Sequence, residues 1–318
     1  MNIKWHIIPL SAAAMLTTGL LYNTSAQAAY IVSNGQCSTD SVTLDTVTKS
    51  DGTGTVHSGS GINATSCAGM FLGANDDSHD ASSPTPNIGQ LGNGFLNGQT
   101  VKSGNGGATG ELDPMTFIET SDLQALDSDG IFNDPGWIHL ASFQDGGNDS
   151  SSPSYSSIGS GANSLNLNDV LDITFNCDTG ADCKAGTWSI ATTTDIISKV
   201  QSILGVGSFD HFALVLKGGN SGVGIYDFDF SELADPSAYA FSGPDVIDFM
   251  TPYTFMGTWN TDDLLATNGQ HQAQRFSHAN FWARDPAAPT NEVPEPATIA
   301  LFGLGLLGLA GIRKRKAV

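Results

Sequence analysis

Positive charge is what this 318-residue chain has least of. It holds 12 Lys and Arg against 32 Asp and Glu, and five of the twelve cations sit at its ends: Lys4, then Arg313, Lys314, Arg315 and Lys316. Between Ala29 and Pro296 seven cations face all 32 acids, a net charge of −25. A field of that sign excludes nucleic acid as a partner and opposes anionic lipid; it favours solubility, divalent cations and neutral or cationic partners. Glutamate is scarce too, with five residues against 27 Asp. With so few Glu, Lys and Arg the chain has little material for surface helices.

Catalytic signatures are missing as well. There is no G-x-S-x-G elbow and no H-E-x-x-H pair, which removes the common serine-hydrolase and zinc-protease readings, and the lack of a C-x-x-C counts against a metal site at the cysteines. Gly219-Asn220-Ser221-Gly222 has a faint serine-protease look with His57 as partner, but lacks the acid before the serine; a glycine-rich hairpin explains it. His139, His211 and His278 fall in strand-like runs and read as packing or hydrogen-bonding residues. Glycoside cleavage needs two facing carboxylates, and nothing in the sequence singles out a pair. The chain reads as a non-enzyme, with a polysaccharide hydrolase as a remote alternative.

What is present begins at the ends. Lys4 precedes an apolar run from Ile7 to Leu21, and Ala26-Gln27-Ala28 offers small residues where signal peptidase reads them, with Ala26 and Ala28 at the two recognised positions. Residues 1–28 therefore read as a signal peptide. At the other end Val293, Pro294, Glu295 and Pro296 form an extended, accessible segment, because proline fixes φ and removes donors. An uncharged run of 16 residues, Ala297 to Ile312, follows, and then Arg313-Lys314-Arg315-Lys316. The run suits a transmembrane helix, 297–312, with the cations on the cytoplasmic side. It is shorter than the roughly 20 residues of a comfortable span, which suits a tail that is threaded and later cut.

In that order and place, these features resemble the PEP-CTERM sorting signal of Gram-negative bacteria. The resemblance implies recognition by an exosortase-type membrane enzyme, cleavage near Pro294-Glu295-Pro296, and release or transfer to the outer surface or extracellular matrix. It also implies the company of exopolysaccharide and biofilm production. Signal peptidase and exosortase would be partners during processing, with the membrane engaged only through the C-terminal helix before it.

The remaining stretch, 29–290, is expected to form an acidic β-rich extracellular domain, either one unit or two lobes at 29–160 and 161–290. Short β-branched or aromatic runs punctuated by glycine-rich turns predict an all-β fold, an antiparallel β-sandwich of jelly-roll-like type with irregular Gly/Ser/Asp-rich loops. Strands are expected at Val42–Thr48, Met115–Thr120, Trp137–Phe143, Leu165–Asn176, Thr187–Thr192, His211–Lys217, Gly224–Phe230, Tyr253–Trp259 and Ser277–Trp282. Ser50 to Gly110 reads as a surface loop or loose lobe. Ile196, Ile197, Val200 and Leu204 share one face of a predicted helix over 195–204. Ala185-Gly186-Thr187-Trp188 is echoed by Met256-Gly257-Thr258-Trp259. With Leu214-Val215-Leu216-Lys217-Gly218-Gly219 between the two and Ser277-His278-Ala279-Asn280-Phe281 after them, Leu165 to Arg284 is similar to a β-rich body found in PEP-CTERM cargo proteins. Gly-Thr-Trp reads as a turn followed by an aromatic core anchor.

Four cysteines in an exported stretch favour disulfides. Three pairings are open; Cys37–Cys67 and Cys177–Cys183 are preferred because each closes a local loop. No organic cofactor is implied. Calcium is the one candidate ion: Asp127-Ser128-Asp129-Gly130 begins like an oxygen-ligand loop, with Asp127 and Asp129 as ligands, though it lacks the distal Glu. The competing reading is that Asp and Asn favour turns. A lectin-like alternative would use Trp137, Trp188, Trp259, Trp282 and Tyr253 as an exposed glycan platform. The reading that follows is an exported surface or matrix protein with a scaffold or binding role toward exopolysaccharide.

Overall fold

The computed structural model describes residues 37–71, 84–102, 109–126, 129–144, 152–178, 182–205, 208–219, 222–234, 247, 250–265 and 272–284. Their chain order is β1 (Thr43–Lys49), β2 (Thr55–Asn63), β3 (Ser66–Phe71), β4 (Val101–Lys102), β5 (Thr109–Gly110), β6 (Trp137–Gln144), β7 (Ser154–Tyr155), β8 (Ser157–Ser160), β9 (Asn163–Asn166), β10 (Leu171–Cys177), β11 (Ala185–Thr192), α1 (Ile196–Leu204), β12 (His211–Gly218), β13 (Val223–Asp229), α2 (Phe230–Leu233), β14 (Tyr253–Asn260) and β15 (Phe276–Arg284). One sheet runs β10-β11-β14-β1-β2 and a second β3-β13-β12-β15-β6-β7. Neighbouring strands in both are antiparallel. The fold is all-β and antiparallel, as the β-branched and aromatic runs between glycine-rich turns predict, and each sheet draws strands from both sides of residue 160.

The two Gly-Thr-Trp segments turn out to be partners rather than separate turns. In the β11–β14 register Gly186 lies opposite Trp259, and Trp188 opposite Gly257. Each indole lies across the facing glycine and reaches the strand beyond it. Nε1 of Trp188 donates to the carbonyl of Thr43 on β1 at 3.1 Å, and Nε1 of Trp259 to the carbonyl of Asn176 on β10 at 3.2 Å. A Cβ at Gly186 would overlap the Asn176 carbonyl and lie 2.9 Å from the Trp259 nitrogen; one at Gly257 would overlap the Thr43 carbonyl and lie 2.7 Å from the Trp188 ring. Glycine is required at both positions for lack of volume.

These tryptophans carry the inner face of the five-stranded sheet to the other sheet. Trp188 stacks on Phe212 of β12 with ring centroids 5.2 Å apart. Trp259 stacks on Phe175 of β10 at 4.5 Å and meets Phe276 of β15 at 5.4 Å. Leu44, Val47, Ile173, Ile190, Leu214 and Phe281, drawn from both sheets, join the same buried cluster.

The six-stranded sheet is buried on its other face too. Trp137, Trp282, Ala213, Val215, Val223 and Ile225 point away from the shared core and are covered by Phe95, Leu96, Val101, Leu112 and Ile118. This corrects the reading of 50–110 as a surface loop: it supplies β2 and β3, and its later part packs as a lid of side chains on the sheet. Two buried asparagines fasten that part to the edge of β6, beyond the reach of the two-residue β7. Asn97 Nδ2 donates to the Trp137 carbonyl at 2.8 Å and Trp137 N to Asn97 Oδ1 at 3.0 Å. Asn87 does the same for His139, at 2.7 and 3.0 Å. Each carboxamide stands in for a peptide group of a missing strand and satisfies backbone that would be costly to bury unpaired. Met115–Thr120 is irregular rather than a strand, because its residues turn to lay Met115, Phe117 and Ile118 on this face. Leu165–Asn176 divides into the end of β9, a 3-10 turn at Leu167–Asp169 and β10.

Both expected disulfides are present, Cys37–Cys67 and Cys177–Cys183. The second ties the end of β10 to the approach of β11, the hairpin that receives Trp259. Gly186→Ala and Gly257→Ala are each expected to lower stability by roughly 1–3 kcal/mol in urea unfolding. Gly219→Ala, where a Cβ meets nothing within 4 Å, is expected to stay within about 0.5 kcal/mol. Equal effects at all three sites would contradict the packing argument.

Candidate functional site

The sorting residues Val293, Pro294, Glu295 and Pro296, the basic cluster Arg313–Lys316 and the processing positions Ala26 and Ala28 lie outside the described residues, as do Asp127 and Ser221. Asp129 is described and sits in a local turn, its Oδ1 accepting from the Ile131 amide at 2.7 Å, with Gly130 beside it at φ 72°. Asp134, at the end of the same loop, directs its two carboxylate oxygens at the amides of Leu91 and Leu126, at 2.8 and 2.6 Å. Among the described residues no group of three His, Cys, Asp or Glu side chains is placed to hold a metal ion.

The expected aromatic platform does not form. Trp137, Trp188 and Trp259 are 1 % exposed, Trp282 is fully buried and Tyr253 is 5 % exposed. Strand alternation turns all five toward one of the two cores, so none presents a ring to a sugar. His57 is buried on β2, with Nε2 3.2 Å from the Ser60 carbonyl.

The densest chemistry lies on the covered face of the six-stranded sheet, where the register sets Trp137, Arg284, His211 and Asp229 in one row. Arg284 is almost fully buried. Its Nε donates to the Pro135 carbonyl at 2.9 Å, Nη1 pairs with Asp210 Oδ2 at 2.5 Å, and Nη2 donates to the Asp122 carbonyl. One guanidinium thus pins three separate segments to β15. Next to it His211 Nδ1 lies 3.0 Å from Asp227 Oδ2. Burial pushes the Asp227 carboxyl up to about 6, against the opposing pull of His211. Burial alone would depress His211, but the hydrogen bond to Asp227 and the charges of Asp227, Asp210 and Asp229 outweigh it and hold its pKa above the ordinary value. The His211 ring meets Trp137 edge-on at 5.8 Å, so the pair is packed against the covered face of the sheet.

A second polar island is simpler. His139 is completely buried, with Nδ1 2.6 Å from Ser156 Oγ, Nε2 3.3 Å from Asn280 Oδ1, and its ring edge-on to Trp282 at 4.8 Å. Desolvation lowers its pKa to about 4, opposed only in part by Asn280. At the far end of the intersheet space, Leu140, Leu171, Ile190, Phe212 and Phe255 surround an apolar cavity of about 120 Å³ beside α1. Thr192 at its wall donates to the Tyr253 carbonyl at 2.9 Å, and Ser208, His211 and Thr251 are the other polar residues that line it. None of Arg284, Asp227, Asn87 and Asn97 was singled out by sequence. Their only signal is polarity inside strands or glycine-rich segments, shared by many solvent-facing residues.

The neutral state of His139 has a consequence for stability. The unfolded chain binds a proton there below the ordinary value of 6.5 and the folded chain only below about 4. Its contribution is therefore complete above pH 6.5 and is lost as pH falls toward 4, by roughly 3 kcal/mol. His211 and Asp227, both shifted upward, oppose this trend by taking protons in the folded state. The stability difference between wild type and His139→Gln isolates the effect: it should shrink steadily from about pH 7 to pH 4 in denaturant unfolding. A difference independent of pH would contradict a neutral buried His139.

No curated protein and no solved structure matches the chain. Residues 292–316 match the PEP-CTERM protein-sorting motif, and that motif implies an exported, exosortase-processed protein.

Proposed function

We propose that this protein is a non-catalytic scaffold or binding protein of the outer surface or extracellular matrix, delivered by exosortase and associated with exopolysaccharide. The observation that carries the reading is the sorting motif at 292–316. Three features of the body support it. Two disulfides suit an oxidising exterior. The net charge of −25 between Ala29 and Pro296 favours solubility and opposes nucleic acid and anionic lipid. The buried His211–Asp227 pair is packed against Trp137 on the covered face of the six-stranded sheet, a placement that suits a structural role. We read the two sheets and their common aromatic core as a jelly-roll-like sandwich, a rigid body from which loops can contact sugars. Calcium held by Asp127 and Asp129 would stiffen one such loop.

The delivery claim is tested by intact mass of the protein recovered separately from medium, outer surface and inner membrane of its native host. A surface or medium species lacking residues 1–28 and the segment after Pro296 is expected, co-fractionating with extracellular polysaccharide. A single membrane species retaining Arg313 to Lys316 would overturn it. For calcium, millimolar CaCl2 should raise the Tm relative to EDTA, and Asp129→Ala should remove the rise. An unchanged wild-type Tm removes the ion from the account.

A further inference from the structure

We propose that the solvent face of the five-stranded sheet is a docking surface for a neutral polysaccharide, centred on Met256; the inference rests on the exopolysaccharide reading above and names the surface that would serve it.

The strand register assembles this face in rows. Thr174, Ser189, Met256, Thr46 and Ser58 follow one another across β10, β11, β14, β1 and β2. Beside them Asn176, Thr187 and Thr258 form a second row, which Thr43 extends through a 2.6 Å contact between its Oγ1 and that of Thr258. The alternate residues on these strands, Leu44, Val47, Ile173, Trp188, Ile190 and Trp259, point into the core, so the hydroxyl and amide groups are held outward by a rigid backing. Adjacent strands stand about 4.8 Å apart, which spaces the side chains regularly across the sheet. Neighbours in a row also orient one another, as Thr174 Oγ1 and Ser189 Oγ do at 2.7 Å. Gly61 keeps the β2 side low: a Cβ there would run into Asp45 and Thr43.

Two properties select the partner. The first is charge. The chain carries 32 acids, yet these five strands hold only two of them, Asp45 and Asp172, and Asp45 accepts a hydrogen bond from Thr43 at 2.8 Å. Lys49, at the end of β1, is the one cation on the five strands. An anionic polymer would meet the repulsion of the whole molecule with a single lysine to hold it, whereas an uncharged polymer meets a locally near-neutral surface. The second is the mixture of groups. Met256 stands 48 % exposed in the middle of the hydroxyl rows. A pyranose presents apolar C–H faces bordered by hydroxyls; a polarizable thioether suits the first and Thr, Ser and Asn side chains, donors and acceptors at once, suit the second. The outer face of the other sheet is covered by Phe95, Leu96 and their neighbours. On this sheet Met256, Thr187 and Thr258 are exposed.

The test uses the full chain in detergent, affinity electrophoresis through dextran, pullulan, a neutral mannan and the neutral polysaccharide fraction of the host matrix, and polygalacturonate as the anionic comparison. Wild type should be retarded by at least one neutral polymer, with retardation unaffected by salt. Thr187→Glu/Met256→Glu should lose that retardation at least tenfold at unchanged Tm, while Phe132→Glu, which alters a side chain 70 % exposed on the loop after Gly130, should behave as wild type. If the double variant binds as wild type does, the face is wrong and the polysaccharide reading stands. If wild type is retarded by polygalacturonate alone, the neutral-polymer assignment is overturned. If no polymer retards wild type, this inference and the polysaccharide reading fall together while export is untouched.

Discussion

Two tryptophans crossing two glycines hold the centre of this protein. Trp188 and Trp259 are each too large to share a strand pair with an ordinary residue opposite, and each is given room by the glycine of the other's motif. The exchange has two consequences. Within the sheet, each indole N–H spans a neighbouring strand to bond a backbone carbonyl beyond it, so four strands are tied together by two side chains. Between the sheets, the ring faces meet Phe212 and Phe276, and the remaining aromatic packing is arranged around those contacts. The Cys177–Cys183 link reinforces the β10–β11 hairpin that takes part in the clasp.

A body so acidic must place its few cations with care. Arg284 is spent in the interior, where one guanidinium binds two carbonyls and Asp210 Oδ2 and fixes the lid over the six-stranded sheet. Its planar fork allows three directed bonds, which a lysine could not reproduce. The His211–Asp227 pair and neutral His139 lie on the same face. Polar chemistry is thus concentrated at the layer between the second sheet and its lid, and the hydroxyl-rich rows on the first sheet are left to solvent.

Much of this was legible in the sequence. The runs around His211–Lys217, Thr187–Thr192 and Tyr253–Trp259 announced strands because β-branched and aromatic residues cluster between glycine-rich turns, and the apolar face of 196–204 announced its helix. The disulfide pairs followed from loop closure. The repeat of Gly-Thr-Trp was visible, but not that its copies face each other, because register is a property of the assembled sheet. β2 was missed since His57-Ser58-Gly59-Ser60-Gly61 has the composition of a linker; an edge strand with one solvent face needs little more than backbone pairing. Met115–Thr120 misled because a lid residue and a strand residue have the same apolar signature. Asn87 and Asn97 were invisible for the opposite reason: asparagine in a glycine- and proline-rich segment reads as a turn until a β6 edge is placed beside it. The tail, whose signal is local and ordered along the chain, was the easiest part to read, and residues 292–316 match the motif it resembles.

The most direct measurement of the central claim is hydrogen exchange at the indole N–H groups of Trp188 and Trp259, followed by NMR on the labelled protein. If both bonds close the sheet as described, these protons exchange as slowly as the innermost amides of β11 and β14, and only through global unfolding. Rapid indole exchange while those amides stay protected would show that the rings do not reach across to Thr43 and Asn176, and the account of the core would fail.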